Sequence, residues 1–375
     1  MRKRLGLIVN PIAGMGGRCG LKGTDGAEIL AQACALGAVP EAPDRALTAL
    51  QQIAKVSGDV EVVTVGGDMG AREAEAAGLD TLVLFTPDGR ATTSEDTRRA
   101  AVELAAEGVD LILFAGGDGT ARDVFAAVGD DVVCLGIPAG CKIHSGVYAI
   151  NPRNAGELAA LYLQGKVKQT GHAEVMDIDE DAFRAGRVSA ELYGYLTVPR
   201  DAARVQGGKA GRTQKDDNAL DDISYYLLDL IEPNTLYILG TGSTILGIKQ
   251  RLGIDGTLLG VDVTRGRELI AKDVTERRIL ELLEAEGCDK AVIVVTVIGG
   301  QGYIFGRGNQ QLSPRVIEKV GRDHIIVVAT KQKIAALGGR PLLVDTGSEE
   351  TNGLLTGHMR VITGYSEQIA VRVSA

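Results

Sequence analysis

The chain has 375 residues, is 45% hydrophobic and 4% aromatic with no tryptophan, and carries a formal net charge of −9. This length allows two domains with sizeable cores. The acidity argues against a nucleic-acid or anionic-membrane surface, and the scarcity of aromatics against a base-stacking platform, while a local basic pocket stays open. The five cysteines, at 19, 34, 134, 141 and 288, form no CxxC pair, and the four histidines form no HExxH, so free thiols in a reducing cytoplasm are expected and a zinc site is not.

In chain order, the basic start is followed by too short an apolar run for a signal peptide, and residues 4–9 read as a buried strand. A Pro- and Gly-rich loop (10–20) follows. Residues 24–37 and 45–58 read as helices and 60–65 and 80–85 as strands, and 93–108 reads as a helix with Ser94 as its N-cap. Strand, glycine turn and helix recur over 109–129, a strand and turn over 132–140, and a helix over 151–165. Continuous apolar strands alternating with helices indicate a parallel α/β sheet covered on both faces. From about residue 171 most segments read as strands, with helices expected only at 221–231, 274–287 and 333–338. The expected organisation is an α/β domain over 1–150 and a β-rich domain over 151–375, whose last strand could return to the first. The longest apolar runs, such as 291–298, fall far short of the ~20 residues a spanning helix needs.

Several glycine-rich stretches are candidate sites. In "GGDGT" (116–120), at the carboxyl end of a parallel strand, Gly116, Gly117 and Gly119 would let phosphate oxygens approach backbone N–H groups, and the Thr120 hydroxyl adds a donor. An acid there, Asp118, makes sense facing a hydroxyl to be oriented or deprotonated, or a Mg²⁺ ion. In "NPIAGMGGRCG" (10–20), Cys19 stands where a dinucleotide fingerprint needs its third glycine, and no Walker A motif occurs anywhere. Asn10 and Gly14 could still bind phosphate, and a plain surface loop is the alternative. "VGGDMGARE" (65–73) repeats the strand-GGD arrangement without the threonine, making Asp68 the decoy for Asp118. In "GTGST" (240–244), Thr241, Gly242, Ser243 and Thr244 suit a ribose or phosphate and could equally cap the next helix. Lys142 could meet phosphate as a point charge, whereas the neighbouring His144 is given no role. Lys209, Arg212 and Lys215 suggest a lid or, more simply, a solvated loop. The acids of 175–183 lack the glycine of a calcium loop.

Together "NP-x-A-G" at 10–14, "GGDGT", "GIPAGCKIHSGVYAINP" and "GTGST" resemble the ATP-NAD kinase/AcoX-like branch of the NAD kinase and diacylglycerol-kinase-like superfamily, over nearly the whole chain. The resemblance implies an NAD kinase-like fold of a nucleotide-binding α/β domain and a β-rich domain, with the active site between them. It implies a cytoplasmic enzyme, homo-oligomeric, that uses Mg²⁺ with ATP, or polyphosphate, to phosphorylate the 2′-hydroxyl of NAD. In that scheme Asp118 orients or deprotonates the hydroxyl, residues 116–120 form the nucleotide loop, and Thr241, Gly242, Ser243 and Thr244 line the nucleotide site. The Asn-Glu pair with which typical NAD kinases read NAD has no clear match here, since "INPRN" at 150–154 holds asparagines but no glutamate. A kinase of another hydroxylated metabolite is therefore the first alternative, and a non-catalytic nucleotide sensor the second. A dehydrogenase is a third, undercut by Cys19.

Overall fold

Leu5 through Val9 of the first strand, β1 (Lys3–Val9), are all buried. Side chains alternate across a strand, so Leu5, Leu7 and Val9 enter one apolar cluster and Ile8 another. Both faces are thus used up in packing, which places β1 in the middle of a helix-covered sheet. The computed structural model describes residues 2–21, 27–56, 60–87, 92–141, 143–178, 190–201, 204–205, 215–285 and 290–375. Within them the chain forms two compact units, residues 1–15 with 23–208, and 16–22 with 209–375.

In the first unit, α1 (Ala27–Ala35) and α2 (Ala42–Val56) lead to β2 (Val60–Thr64), then α3 (Ala71–Ala76), β3 (Asp80–Val83), α4 (Ser94–Ala106), β4 (Leu111–Gly116), α5 (Asp118–Val128), β5 (Cys134–Pro138) and α6 (Pro152–Leu163). The five strands form one parallel sheet in the order β3-β2-β1-β4-β5. Leu50 and Ile53 of α2 and Leu158 of α6 share the cluster of Leu5, while Leu104 of α4 and Val124 of α5 share that of Ile8. The N-cap of α4 is Thr93, one residue before the expected Ser94. Asp96 lies three residues beyond Thr93, and the two exchange side chain-to-backbone bonds in a capping box.

An antiparallel ribbon, β6 (Thr170–Ile178) with β7 (Ala190–Pro199), follows α6. The expected boundary at residue 150 falls inside the first unit. Ala155 and Leu158 of α6 and Val175, Leu196 and Val198 of the ribbon have their apolar partners in the clusters of the first sheet.

The second unit holds α7 (Lys215–Leu230), β8 (Leu236–Leu239), α8 (Ser243–Arg251), β9 (Asp262–Arg265), β10 (Glu268–Ala271), α9 (Glu276–Glu284), β11 (Ala291–Thr296), β12 (Tyr303–Phe305), α10 (Pro314–Val320), β13 (Ile325–Val328), α11 (Lys331–Ala335), β14 (Leu342–Val344), α12 (Glu349–Leu355), β15 (Gly357–Gly364) and β16 (Glu367–Ser374). Its mixed sheet runs β10-β9-β8-β11-β13-β15-β16-β14-β12. It is β-rich as expected, α8 is the helix that residues 241–244 could cap, and α10 and α12 are helices beyond those expected. The pairs β8–β11, β11–β13 and β13–β15 are parallel, and parallel neighbours need crossovers, which short capped helices supply. The last strand, β16, pairs with β15 and β14. It therefore stays in this second sheet.

Among the described residues no helix is long and apolar enough to cross a membrane. Cys34 and Cys134 are free thiols, and burial pushes the Cys134 thiol up to about 12. Cys288 lies outside the described residues, as do Lys142, Lys209, Arg212 and the acids beyond residue 178.

One carboxylate of the first unit is poorly served. Glu73 on α3 is 7% exposed, and its Oε2 has no hydrogen-bond partner. Burial pushes its carboxyl above the usual range, with Asp68 adding repulsion. A raised carboxyl in the fold means that the native state holds the proton more tightly than the unfolded chain does. The cost of Glu73 is therefore absent below the unfolded value of about 4.3 and grows as pH rises through the folded value. Glu73→Gln is expected to raise the melting temperature at neutral pH, with the gain shrinking on acidification. A scan of melting temperature against pH for both proteins checks this.

Candidate functional site

The strand order reverses direction between β1 and β4, so the connections after these two strands leave the sheet on opposite sides. In open α/β sheets such a switch point forms a ligand crevice at the carboxyl ends of the strands. The loop after β1 begins at Asn10, and the turn after β4 is residues 116–120. Asn10 Nδ2 donates to Thr120 Oγ1 at 3.0 Å and Asn10 Oδ1 accepts from the Ile12 amide at 3.3 Å, so one side chain ties the two loops together. Gly116 is packed so closely that a Cβ would lie 2.3 Å from Thr120 Oγ1. Gly14 has φ +81°, and a Cβ there would lie 2.0 Å from the carbonyl oxygen of Ala139, which follows β5. Both glycines thus have a steric reason to be glycine in addition to any contact with a ligand.

The "GGDGT" stretch is a strand end running straight into a helix. Gly116 closes β4, Gly117 is the N-cap of α5, and Asp118, Gly119 and Thr120 form its first turn. Asp118 is 5% exposed, far from the bare acid the sequence suggests. A helix N-terminus favours its charge, and two backbone N–H groups and an imidazole nitrogen meet its oxygens. Oδ2 accepts from the His144 amide at 2.7 Å and lies 3.1 Å from His144 Nδ1. Oδ1 accepts from the Ser145 amide at 3.0 Å. Ser145 is anchored in turn, its hydroxyl donating to the Met176 carbonyl at 2.8 Å and accepting from the Met176 amide at 3.0 Å. The Tyr148 hydroxyl donates to the Gly117 carbonyl, and its ring meets Phe114 of β4 edge-on at 5.5 Å.

His144 and Ser145 are thus site neighbours that sequence reasoning passed over. Their only signal was position, a few residues past the end of the strand that flanks β4. Asp68 is half exposed and paired with Arg72 on the next turn. Asn151 and Asn154 serve α6, where Asn151 Oδ1 accepts from the Asn154 amide at 2.8 Å as the N-cap.

In the second unit, residues 240–244 join β8 to α8. Thr241 Oγ1 donates to the Gly308 carbonyl at 2.9 Å. Gly242, at φ +102°, is the N-cap and has no side-chain cap. Ser243 is exposed and Thr244 is buried. Beneath them lies Lys249, fully buried, on the apolar stripe of Ile245, Ile248 and Leu252. Its Nζ donates to the Gly240 carbonyl at 3.0 Å, the Thr257 carbonyl at 3.2 Å and Asp262 Oδ2 at 2.7 Å. Asp262 also accepts from the Thr257 amide and hydroxyl and from the Asp273 amide. Burial pulls the Lys249 amine below its ordinary value, against the opposing pull of Asp262. The ammonium pins the first carbonyl of the loop.

Breaking such a pair leaves a buried charge uncompensated, at a cost of about 3–5 kcal/mol, whereas replacing both partners by apolar groups is often neutral. Lys249→Met is accordingly expected to be strongly destabilising, and the double variant Lys249→Met/Asp262→Leu to regain most of the loss. Urea unfolding of the two variants measures both effects.

No curated protein matches the chain. Two solved structures assigned as diacylglycerol kinase from Bacillus anthracis str. Sterne align at 17% identity and TM-score 0.26, over 48% of this chain and 46% of theirs, and at 16% and 0.27, over 48% and 42%. The chain thus spans less than half the length of either. A UDP-N-acetylglucosamine 2-epimerase aligns at 10% identity and TM-score 0.23, over 93% of this chain and 80% of that one. Family models match in order along the sequence: the ATP-NAD kinase N-terminal domain over residues 5–167 and the ATP-NAD kinase C-terminal domain over 233–373. On that coverage the chain belongs to the ATP-NAD kinase family.

Proposed function

We propose that the chain is a small-molecule kinase that transfers the terminal phosphoryl group of ATP, or of polyphosphate, to a hydroxyl, in the first instance the 2′-hydroxyl of NAD. The observation that carries this reading is the buried Asp118 on the first turn of a glycine-capped helix, at the switch point and beside the Asn10–Thr120 bond. Phosphoryl transfer asks mainly for positioning and charge stabilisation. The backbone N–H groups of residues 116–120 and the first turn of α5 suit phosphate oxygens, and Asp118 is the group that orients the acceptor hydroxyl. Residues 241–244 of the second unit are assigned to the nucleotide. Lys142 is kept as a phosphate contact.

Magnesium would arrive with the nucleotide. Its ligands are mostly phosphate oxygens and water, with one or two protein carboxylates. Among the described residues no cluster of three His, Cys, Asp or Glu could hold a metal ion. The ion would supply neutralisation of phosphate charge.

A second reading keeps the reaction and changes the acceptor. The asparagines after the switch point, Asn151 and Asn154, are engaged in capping α6, which favours a hydroxylated metabolite other than NAD. A cytoplasmic location and homo-oligomeric assembly belong to the same proposal, and sedimentation of the purified chain checks the second.

With Mg-ATP and NAD, the chain is expected to form NADP, detected with an NADP-specific dehydrogenase. Asp118→Asn should lower turnover by at least about 100-fold while ATP binding persists. Turnover unchanged in Asp118→Asn removes the role of that residue. ATP binding with no transfer to NAD or to any hydroxylated metabolite tested favours a sensor instead.

A further inference from the structure

The second unit holds a switch point of its own. β8 and β11 are parallel neighbours, Ala291 opposite Leu236 through Val294 opposite Leu239. After β8 the chain goes on to β9 and after β11 to β12, which lie on opposite sides of this pair in the strand order. The helices part as well. Ile245 and Ile248 of α8 join the apolar cluster of Leu239 and Val294, whereas Val316 and Ile317 of α10 join that of Ile238 and Val295 on the other face. The loops after β8 and β11 therefore diverge at the carboxyl ends of their strands, where open α/β sheets take ligands.

α8 opens into this crevice without a side-chain cap. Its N-cap is Gly242, at φ +102°, and the Thr241 hydroxyl is already engaged with the Gly308 carbonyl. No acid stands in its first turn. The first amides of a helix have no intrahelical partner and favour an anion. Thr296 closes β11 beside them. It lies two residues beyond Val294, so its side chain is on the α8 face of the sheet, and a Cβ on Gly242 would lie 3.7 Å from Thr296 Cγ2. Thr296 is 9% exposed, and among the described residues its Oγ1 has no hydrogen-bond partner. A buried hydroxyl without a partner costs the fold stability, and one beside an uncapped helix start complements an oxyanion. Lys333 adds positive charge at the next residue, its Nζ donating to the Val297 carbonyl at 3.0 Å.

On the kinase reading above, we propose that Thr296 and the first turn of α8 hold a phosphate group of a substrate, with the Thr296 hydroxyl donating to one of its oxygens. The chemistry recognised is a diphosphate, which ADP and NAD both carry. Position 296 then needs a hydroxyl and not merely a small β-branched side chain.

Thr296→Val keeps the shape of the side chain and removes the donor. Calorimetry of the full chain with pyrophosphate, ADP and NAD, beside a melting curve, reads the effect. Thr296→Val is expected to weaken pyrophosphate, and whichever of ADP and NAD places its diphosphate there, by about tenfold. Its melting temperature should stay the same or rise, because an unpaired buried hydroxyl is gone. Ser243→Asp, at an exposed position, puts a carboxylate on the same turn, which favours the helix and should weaken the same ligands. A loss confined to ADP assigns the subsite to the phosphoryl donor, and one confined to NAD to the acceptor. Equal affinities of wild type and Thr296→Val for all three ligands overturn the proposal. So does a clear fall in the melting temperature of Thr296→Val, which would mean that the hydroxyl is bonded within the fold. Transfer to an acceptor with binding unchanged in both variants overturns the proposal and leaves the kinase reading standing. Pyrophosphate binding weakened in both variants, with no transfer to any acceptor, does the reverse: the phosphate subsite stands and the kinase reading fails.

Discussion

The parallel pairing of β1 with β4, Leu5 opposite Leu111 through Val9 opposite Ala115, is the constraint on which the candidate site depends. A one-residue slip would send every core side chain of β1 to the wrong face, and the two apolar clusters leave no room for that. Once this register is set, Asn10 and residues 116–120 leave the sheet side by side. The Asn10–Thr120 hydrogen bond and the tight contact of Gly116 with Thr120 then follow from where the strands end.

The charges buried near the glycine loops obey a common rule. Asp118 meets amide donors and an imidazole, and Lys249 meets two carbonyls and Asp262. Arg307, 3% exposed, pairs with Asp345 at 2.8 Å and stands over the Tyr303 ring at 4.7 Å. A charge removed from water must be met from several directions. The groups that meet it come from loops distant in sequence, so each charge also holds a loop in place. Glu73 has one oxygen unmet, and its burial pushes the carboxyl up.

Much of the first unit was legible because its strands are short apolar runs punctuated by glycine. Hydrophobic periodicity set the five strands and, apart from α3, the helices between them to within a few residues, and it put "GGDGT" at a strand end. The misplaced cap of α4 came from reading Ser94 without asking which threonine has an acid three residues on. The second unit was less legible. The short helices α10 and α12 carry only seven residues each, too few for a clear 3.6-residue period, and their need arises from parallel pairing that a strand pattern does not reveal.

By itself the sequence determined the strand–helix alternation, the family motifs and the place of "GGDGT" at a strand end, because these rest on local periodicity and on residue types at fixed spacing. The tertiary structure alone decided what surrounds that acid. His144 and Ser145 lie 26 and 27 residues from Asp118, and Asp262 lies 13 from Lys249. No local pattern encodes such contacts, since they arise only when strand order brings the ends of neighbouring strands together and burial forces each polar group to find a partner.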